Sequence, residues 1–261
     1  MDSHYIAISN KYDYLYEPLH HARAPLIINN LKLKPDDLML DIGAATGQQA
    51  HLIWKQAGLK NPVTCVEPCE ALFEHARKLD GTVPVMQTAE QFCDHLVQVG
   101  SQRQFNKVLL CGVVHHIDDI VKCLGQILDY LPKNGVCFIS NQSFTEKSLS
   151  SLPLTAFQLR YFKETSNPFD IILPYVKSRD DVITEVTNDE PSFRIPKSRW
   201  YYMIRNYFWS HFHQYTDKEI EESIKELDNG RFKQVKDDEL ITVVYKVTGV
   251  KITKKEILKG I

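Results

Sequence analysis

Apolar residues recur along this chain first at helical spacing and then in short blocks. Tyr12, Leu15, Tyr16 and Leu19 fall three and four apart, which predicts a helix, and Pro25 opens a second helical stretch carrying Leu26, Ile27 and Leu31. Pro35-Asp36-Asp37 ends that section. From Leu38 onward strand-like and helical runs alternate. Leu38–Ile42, Val63–Val66, Val83–Met86, Lys107–Cys111 and Val136–Ser140 read as strands, with helices predicted over Gln48–Ala57, Ala71–Leu79, Gln91–Val99 and Ile120–Leu131. Such alternation favours a mostly parallel, doubly wound sheet covered on both faces.

After Asn141 the rhythm breaks. It resumes with Arg231–Lys236, an Asp237-Asp238 turn and Leu240–Val247, which predict an antiparallel closing hairpin and bring the sheet to seven strands. The boundaries that follow are a core of residues 1–141 and 231–261, with 142–230 as a helical insertion. Within it, residues 193–215 carry Phe193, Trp200, Tyr201, Tyr202, Tyr207, Phe208, Trp209, Phe212 and Tyr215, a third of all the aromatic side chains in the chain. Thr216-Asp217-Lys218-Glu219 has capping-box spacing and opens a helix that Asn229-Gly230 stops. The basic tail Lys251–Lys259 reads as a solvated helix end.

Composition narrows the partners. A formal charge of -2 leaves no global basic field to attract nucleic acid or an anionic membrane. The six cysteines form no C-x-x-C pair, so neither a disulfide framework nor a structural zinc site is expected. The N-terminus lacks a charged and apolar leader, and no stretch reaches eighteen uninterrupted apolar residues, so a reducing cytoplasmic setting without membrane insertion is expected. The oligomeric state stays open.

The chemistry is concentrated at the first two strand ends. Leu38–Ile42 runs into Gly43-Ala44-Ala45-Thr46-Gly47 and a helix, and Glu67 follows the second strand. Glycines let a backbone approach a ligand closely, and the acid can accept hydrogen bonds from both ribose hydroxyls, which makes a nucleoside half-site. Together with the segment from Cys111 through Gly112, Val113, His115 and His116 to Asp119, the N-terminal helices and the closing pair, this region resembles the class I S-adenosylmethionine-dependent methyltransferases. Asp41, Gly43, Ala45 and Gly47 fill the family's acidic glycine pattern, with Ala45 departing from its middle glycine. The resemblance covers about two thirds of the chain and implies a Rossmann-like fold, S-adenosylmethionine as cofactor and methyl transfer as activity.

By the same resemblance Asp41 and the turn amides face the methionine end of the cofactor, and Glu67 binds the ribose. Thr88-Ala89-Glu90 lies where the family contacts the adenine edge, with Thr88 in a position often held by Asp. Cys111, Gly112 and Val113 line the cofactor cleft. Tyr16 and Arg23 sit in N-terminal helices similar to those of trans-aconitate methyltransferase relatives, where an aromatic and an arginine approach the cofactor carboxylate.

For the acceptor, His115 and His116 are candidate bases because imidazole titrates near neutrality, and His20 and His21 are weaker ones. Hydrogen bonding in support of the structure is the competing role for that pair. The aromatic insertion is expected to form a substrate lid from Arg199, Trp200, Tyr201, Arg205, Trp209 and His211, its arginines suiting a carboxylate. His211 and His213 have no third ligand nearby in sequence, so no metal is expected. The expected acceptor is therefore a small molecule, with a carboxylate-bearing one preferred. Rival readings are a protein or nucleic-acid methyltransferase, which would favour an open groove or a basic stripe, and a non-catalytic binding module.

Overall fold

The computed structural model describes residues 3–99, 105–143, 151–160 and 167–256. Among these, nine strands form: β1 (Met39–Ile42), β2 (Val63–Val66), β3 (Thr82–Val85), β4 (Lys107–Cys111), β5 (Val136–Gln142), β6 (Val182–Asp189), β7 (Ser192–Pro196), β8 (Leu240–Val244) and β9 (Val247–Lys254). Seven make one sheet in the order β3-β2-β1-β4-β5-β9-β6, and β7 pairs with β8 apart from it. β1 to β5 are mutually parallel, while β9 lies antiparallel between β5 and β6. The fold is α/β and Rossmann-like, as the strand and helix alternation predicts.

Strand period places the core on both faces. Leu40, Val108, Leu110, Cys137 and Ile139 join one buried cluster with α5 (Ala89–Val99) and α6 (Ile120–Tyr130). Met39, Cys65, Leu109, Val136 and Phe138 alternate with them and join the other, with α3 (Gln48–Ala57) and the second half of α2 (Tyr12–Leu31). Because both faces are covered, the central strands read as unbroken apolar runs.

Several boundaries differ from the sequence reading. Arg231–Lys236 is not a strand: Phe232 and Val235 are three apart, and their amides close turns onto Leu227 and Phe232 at 2.8 and 2.9 Å. The closing antiparallel pair is instead β6 with β9. The expected run Leu240–Val247 divides into β8 and the start of β9, and the basic tail is a sheet strand through Lys254. Lys251 and Lys254 are buried and paired, with Glu185 and Asp181, each at 2.6 Å, Lys255 is exposed, and the tail beyond residue 256 lies outside the described residues. β6 comes from inside 142–230, preceded by a helix over Phe169–Lys177 that packs on α6, so part of that stretch belongs to the core. Its polar composition suits an edge strand with one open flank, which hides it from an apolar-run reading.

Pro25 does not begin a new helix, because α2 runs unbroken through Pro18 and Pro25. Pro18 has no N–H for the carbonyl of Tyr14. Arg199 supplies that bond from another part of the chain, its Nη2 donating to the Tyr14 carbonyl at 2.9 Å while it also pairs with Glu17 at 2.7 Å. The short α1 (Ser3–Ile8) precedes α2, and α4 (Glu70–Ala76) follows β2. Above the strand ends sits a cap built from β7, β8, the helices Lys197–Arg205 and Asp217–Asn229 and a 3-10 turn over Ser210–Gln214. The predicted capping box at Thr216 and Glu219 is present. Trp200, Phe208 and Phe212 are fully buried there with Leu15 and Leu19 of α2, so the cap has its own core seated on that helix.

Candidate active site

The turn after β1 is held open by its backbone. Gly43 and Gly47 adopt φ of 73° and 76°, and a Cβ on Gly43 would stand 2.3 Å from Val113 Cγ2. No side chain fits there. Ala45 takes the same left-handed region at φ 50°, so the residue that departs from the glycine pattern holds a glycine conformation with a methyl group. Its amide donates to Glu67 Oε2 at 2.9 Å, and the Cys69 amide donates to Oε1 at 2.9 Å. Glu67 therefore ties the end of β2 to the turn. Burial raises its pKa, and these two amides oppose that rise.

Two cavities open along the strand ends and share Tyr5, Tyr12, Gly43, Ala45, Cys111 and Gly112. They are lobes of one cleft. The second, about 470 Å³, is lined by Glu67, Leu72, Thr88, Ala89, Glu90, Val113, His116 and Ile117. Thr88 and Gln91 cap α5 reciprocally, and Glu90 accepts from the Asp118 amide at 3.1 Å, so both predicted edge residues are structurally engaged as well as cleft-lining. The first lobe, about 300 Å³, holds Tyr16, Arg23, Asp41, Gln49, His115, Trp209 and His211.

Charge in the first lobe is deeply buried. Asp41 is 2% exposed, and burial first, then the nearby Glu67 charge, pushes its carboxyl up to about 8. Arg23 lies over the Tyr245 ring at 4.6 Å and donates from Nη1 to Cys111 Sγ at 3.8 Å, while its Nε has no hydrogen-bond partner. Gln49 Oε1 is likewise buried without one. An unpaired donor, an unpaired acceptor and a carboxyl awaiting a cation fit the carboxylate, ammonium and sulfonium of S-adenosylmethionine, with Glu67 and the apolar second lobe fitting its ribose and base.

The lid residues divide. Trp209 and His211 line the first lobe. Trp200 is wholly buried in the cap core, and Tyr201 is buried with its hydroxyl donating to Asp228 at 2.9 Å. Arg205 pairs with Glu221 at 2.6 Å, and Arg199 binds Glu17 and Tyr14 as above, so neither arginine faces the cleft. Gly47 also stands outside it, at the start of α3, where a Cβ would meet Ala76 at 3.1 Å. His115 lines the first lobe and His116 the second, where His116 Nε2 and the Tyr5 hydroxyl lie 3.0 Å apart. His20 also lines the first lobe, and burial, then Arg23 and His21, lower it to about 3, which disfavours it as a base.

The sequence reading missed Tyr5, Gln49, Gln142, Ser210, Gln214 and Tyr245 as lining groups, placed Tyr12 in the N-terminal helical segment without a site role, and used Asn141 only to mark an element boundary. Gln49, two residues past Gly47 on α3, carried a readable signal. Tyr245, in the link between cap and core, did not.

A family model for a methyltransferase domain matches residues 16–227. Among solved structures, the plantazolicin methyltransferase BpumL in complex with SAH is 18% identical, with a TM-score of 0.56 over 95% of this chain and 89% of that one. A protein from Anabaena variabilis described as a methyltransferase of an antibiotic biosynthesis pathway is 15% identical, with a TM-score of 0.62 over 87% and 95%. Haemonchus contortus phosphoethanolamine N-methyltransferase 2, in complex with its phosphomonomethylethanolamine ligand and S-adenosylhomocysteine, is 16% identical, with a TM-score of 0.53 over 90% of this chain and 52% of that one. No curated protein sequence matches the chain. No helix among the described residues is long and apolar enough to cross a membrane.

Proposed function

The chain belongs to the S-adenosylmethionine-dependent methyltransferases, and on that premise we propose that it methylates a small molecule held between the strand ends and the cap. The cofactor supplies an electrophilic methyl group on sulfur. Glu67 takes the ribose diol, Arg23 the carboxylate, Gln49 the ammonium, and Asp41 offsets the positive centre. The observation that carries this reading is the convergence of Glu67, Asp41, Arg23 Nε and Gln49 Oε1 on one cleft, two of them buried without a partner.

Trp209 and His211 of the cap line the first lobe beside the groups assigned to the donor, which supports a small acceptor over a polymer. The preference for a carboxylate rests on the trans-aconitate-like N-terminus and on Arg199 and Arg205, and both arginines are paired away from the cleft. His115 is the group suited to take a proton from a hydroxyl or amine acceptor, and a closed cap keeps water from the methyl group. The six cysteines are free thiols, which suits a reducing compartment such as the cytosol.

Titration calorimetry with S-adenosylmethionine and S-adenosylhomocysteine tests the donor site. We expect saturable binding that Glu67→Ala weakens by roughly tenfold or more, the loss of a charge-assisted pair of hydrogen bonds. Absence of binding to the wild-type chain would overturn the reading. Transfer only to a peptide or RNA would overturn the small-molecule part.

A further inference from the structure

Under the reading above, the two formal charges of the first lobe, Arg23 and Asp41, are matched by the donor's own carboxylate and cationic centres. The rest of the lining is of another kind. Asn141, Gln142 and Tyr245 reach it from the core side, and Trp209, His211 and Gln214 from the cap, so it consists of carboxamides, aromatic faces and imidazole. His211 is held neutral, because burial first, then the facing His4 and His115, lowers it to about 3.

These groups are also arranged. The Tyr245 ring lies 5.7 Å from that of Trp209, and its hydroxyl donates to Gln142 Oε1 at 3.1 Å, which orients the carboxamide. Asn141 is 3% exposed, and its Nδ2 has no hydrogen-bond partner. An acceptor bearing a carboxylate, phosphate or ammonium would lose its hydration here with no countercharge left to compensate. A planar uncharged body instead packs on the cleft-lining edges of Trp209 and Tyr245 and offers a polar edge to Asn141.

We infer that the acceptor is an uncharged aromatic or heteroaromatic compound with a hydroxyl or ring N–H as its nucleophile, seated against the cleft-lining sides of Trp209, Tyr245 and Asn141. The inference rests on the methyltransferase reading. As the acceptor oxygen or nitrogen bonds to the methyl carbon, the sulfur–carbon bond breaks with its electron pair going to sulfur, and the acceptor's proton passes to the His115 imidazole. Charge thereby moves from the sulfonium to a histidine at the cleft wall.

Matched probes test it: naphthol and hydroxyquinoline against naphthoate and naphthylmethylamine, with S-adenosylhomocysteine release as the readout on the full chain. Transfer to the neutral pair, at a kcat/KM at least roughly tenfold above the charged pair, is expected. Trp209→Leu should raise KM for naphthol about tenfold, and His115→Gln should lower kcat roughly a hundredfold, both with S-adenosylhomocysteine affinity unchanged. Preference for a charged probe, or transfer to none of the four, overturns the inference. Equal losses of donor affinity in the two variants also overturn it. Calorimetric binding of S-adenosylhomocysteine is read separately, so a donor-site failure, which sinks both proposals, is distinguishable from a wrong acceptor class.

Discussion

On the proposed donor side of the cleft, Glu67, Asp41 and the Gly43–Gly47 turn hang from the ends of adjacent parallel strands, whereas on the cap side His211 lies in a 3-10 turn and Trp209 just before it, carried by no strand of the main sheet. The donor side is made rigid by register. Asp41 pairs with Cys65 and Leu109 in neighbouring strands, and Gly43 and Ala44 both bond to the Val66 carbonyl at 2.8 and 3.0 Å. The cap is fixed by packing: Trp200, Phe208 and Phe212 share a core with α2, and Arg199 clasps the carbonyl that Pro18 leaves open. Backbone hydrogen bonds therefore set the geometry of the proposed donor side, while side-chain packing sets the proposed acceptor wall. A backbone-built site can serve many acceptors unchanged, and the packed wall is where specificity can vary.

Substitutions that hit one side and spare the other sharpen this contrast. Gly43→Ala carries the largest expected effect, since its Cβ overlaps Val113 and its φ of 73° disfavours any side chain. Unfolding in denaturant should show a loss of roughly 2–4 kcal/mol, with donor binding abolished. Retained affinity would mean that the turn does not set donor geometry. Arg199→Ala should cost about 1–3 kcal/mol by removing the Tyr14 and Glu17 contacts, yet leave S-adenosylhomocysteine affinity within about twofold. A large fall in affinity there would break the separation of the two sides.

Asp41 gives a pH-dependent test. Its folded pKa of about 8 stands well above the ordinary aspartate value near 3.8, so the folded chain binds the extra proton across that window and Asp41 makes stability fall as pH rises through it. Asp41→Asn should therefore flatten that fall in thermal melts of the ligand-free protein, and weaken donor binding by roughly tenfold, about 1.4 kcal/mol. A melt profile identical to wild type between those pH values would contradict the buried carboxyl. Ala45→Gly should have the smallest effect, relieving φ 50° and raising stability by at most about 1 kcal/mol, offset in part by glycine's greater freedom when unfolded.

Much of the proposed donor site is local in sequence. Asp41 to Gly47 is one strand and one turn, and Glu67 lies one strand further on, so spacing alone brings them together. The first five strands were readable for a related reason, since each is buried on both faces and must be an apolar block. β6 was not, because an edge strand tolerates the Thr, Glu, Asn and Asp that fill it. Arg231–Lys236 misled because turns packed under Phe232 and Val235 carry apolar residues without strand spacing. The lid arginines failed for a third reason: a charge's sequence neighbours do not reveal its partner, and Glu17 and Glu221 captured Arg199 and Arg205.

From local patterning followed the α/β class and a glycine turn with its acid, a nucleoside half-site, while the kind of cofactor followed from the family resemblance those residues carry. These depend on backbone conformation and strand period, which a short window of residues encodes. Contacts between distant segments set the rest: β9 between β5 and β6, Trp200 and Tyr201 inside the cap core while Trp209 and His211 face the cleft, and Tyr245 between Arg23 and Trp209. Side chains of one aromatic stretch look alike in sequence, and only the packing of the cap on α2 sorts which are buried in its core and which form the acceptor wall.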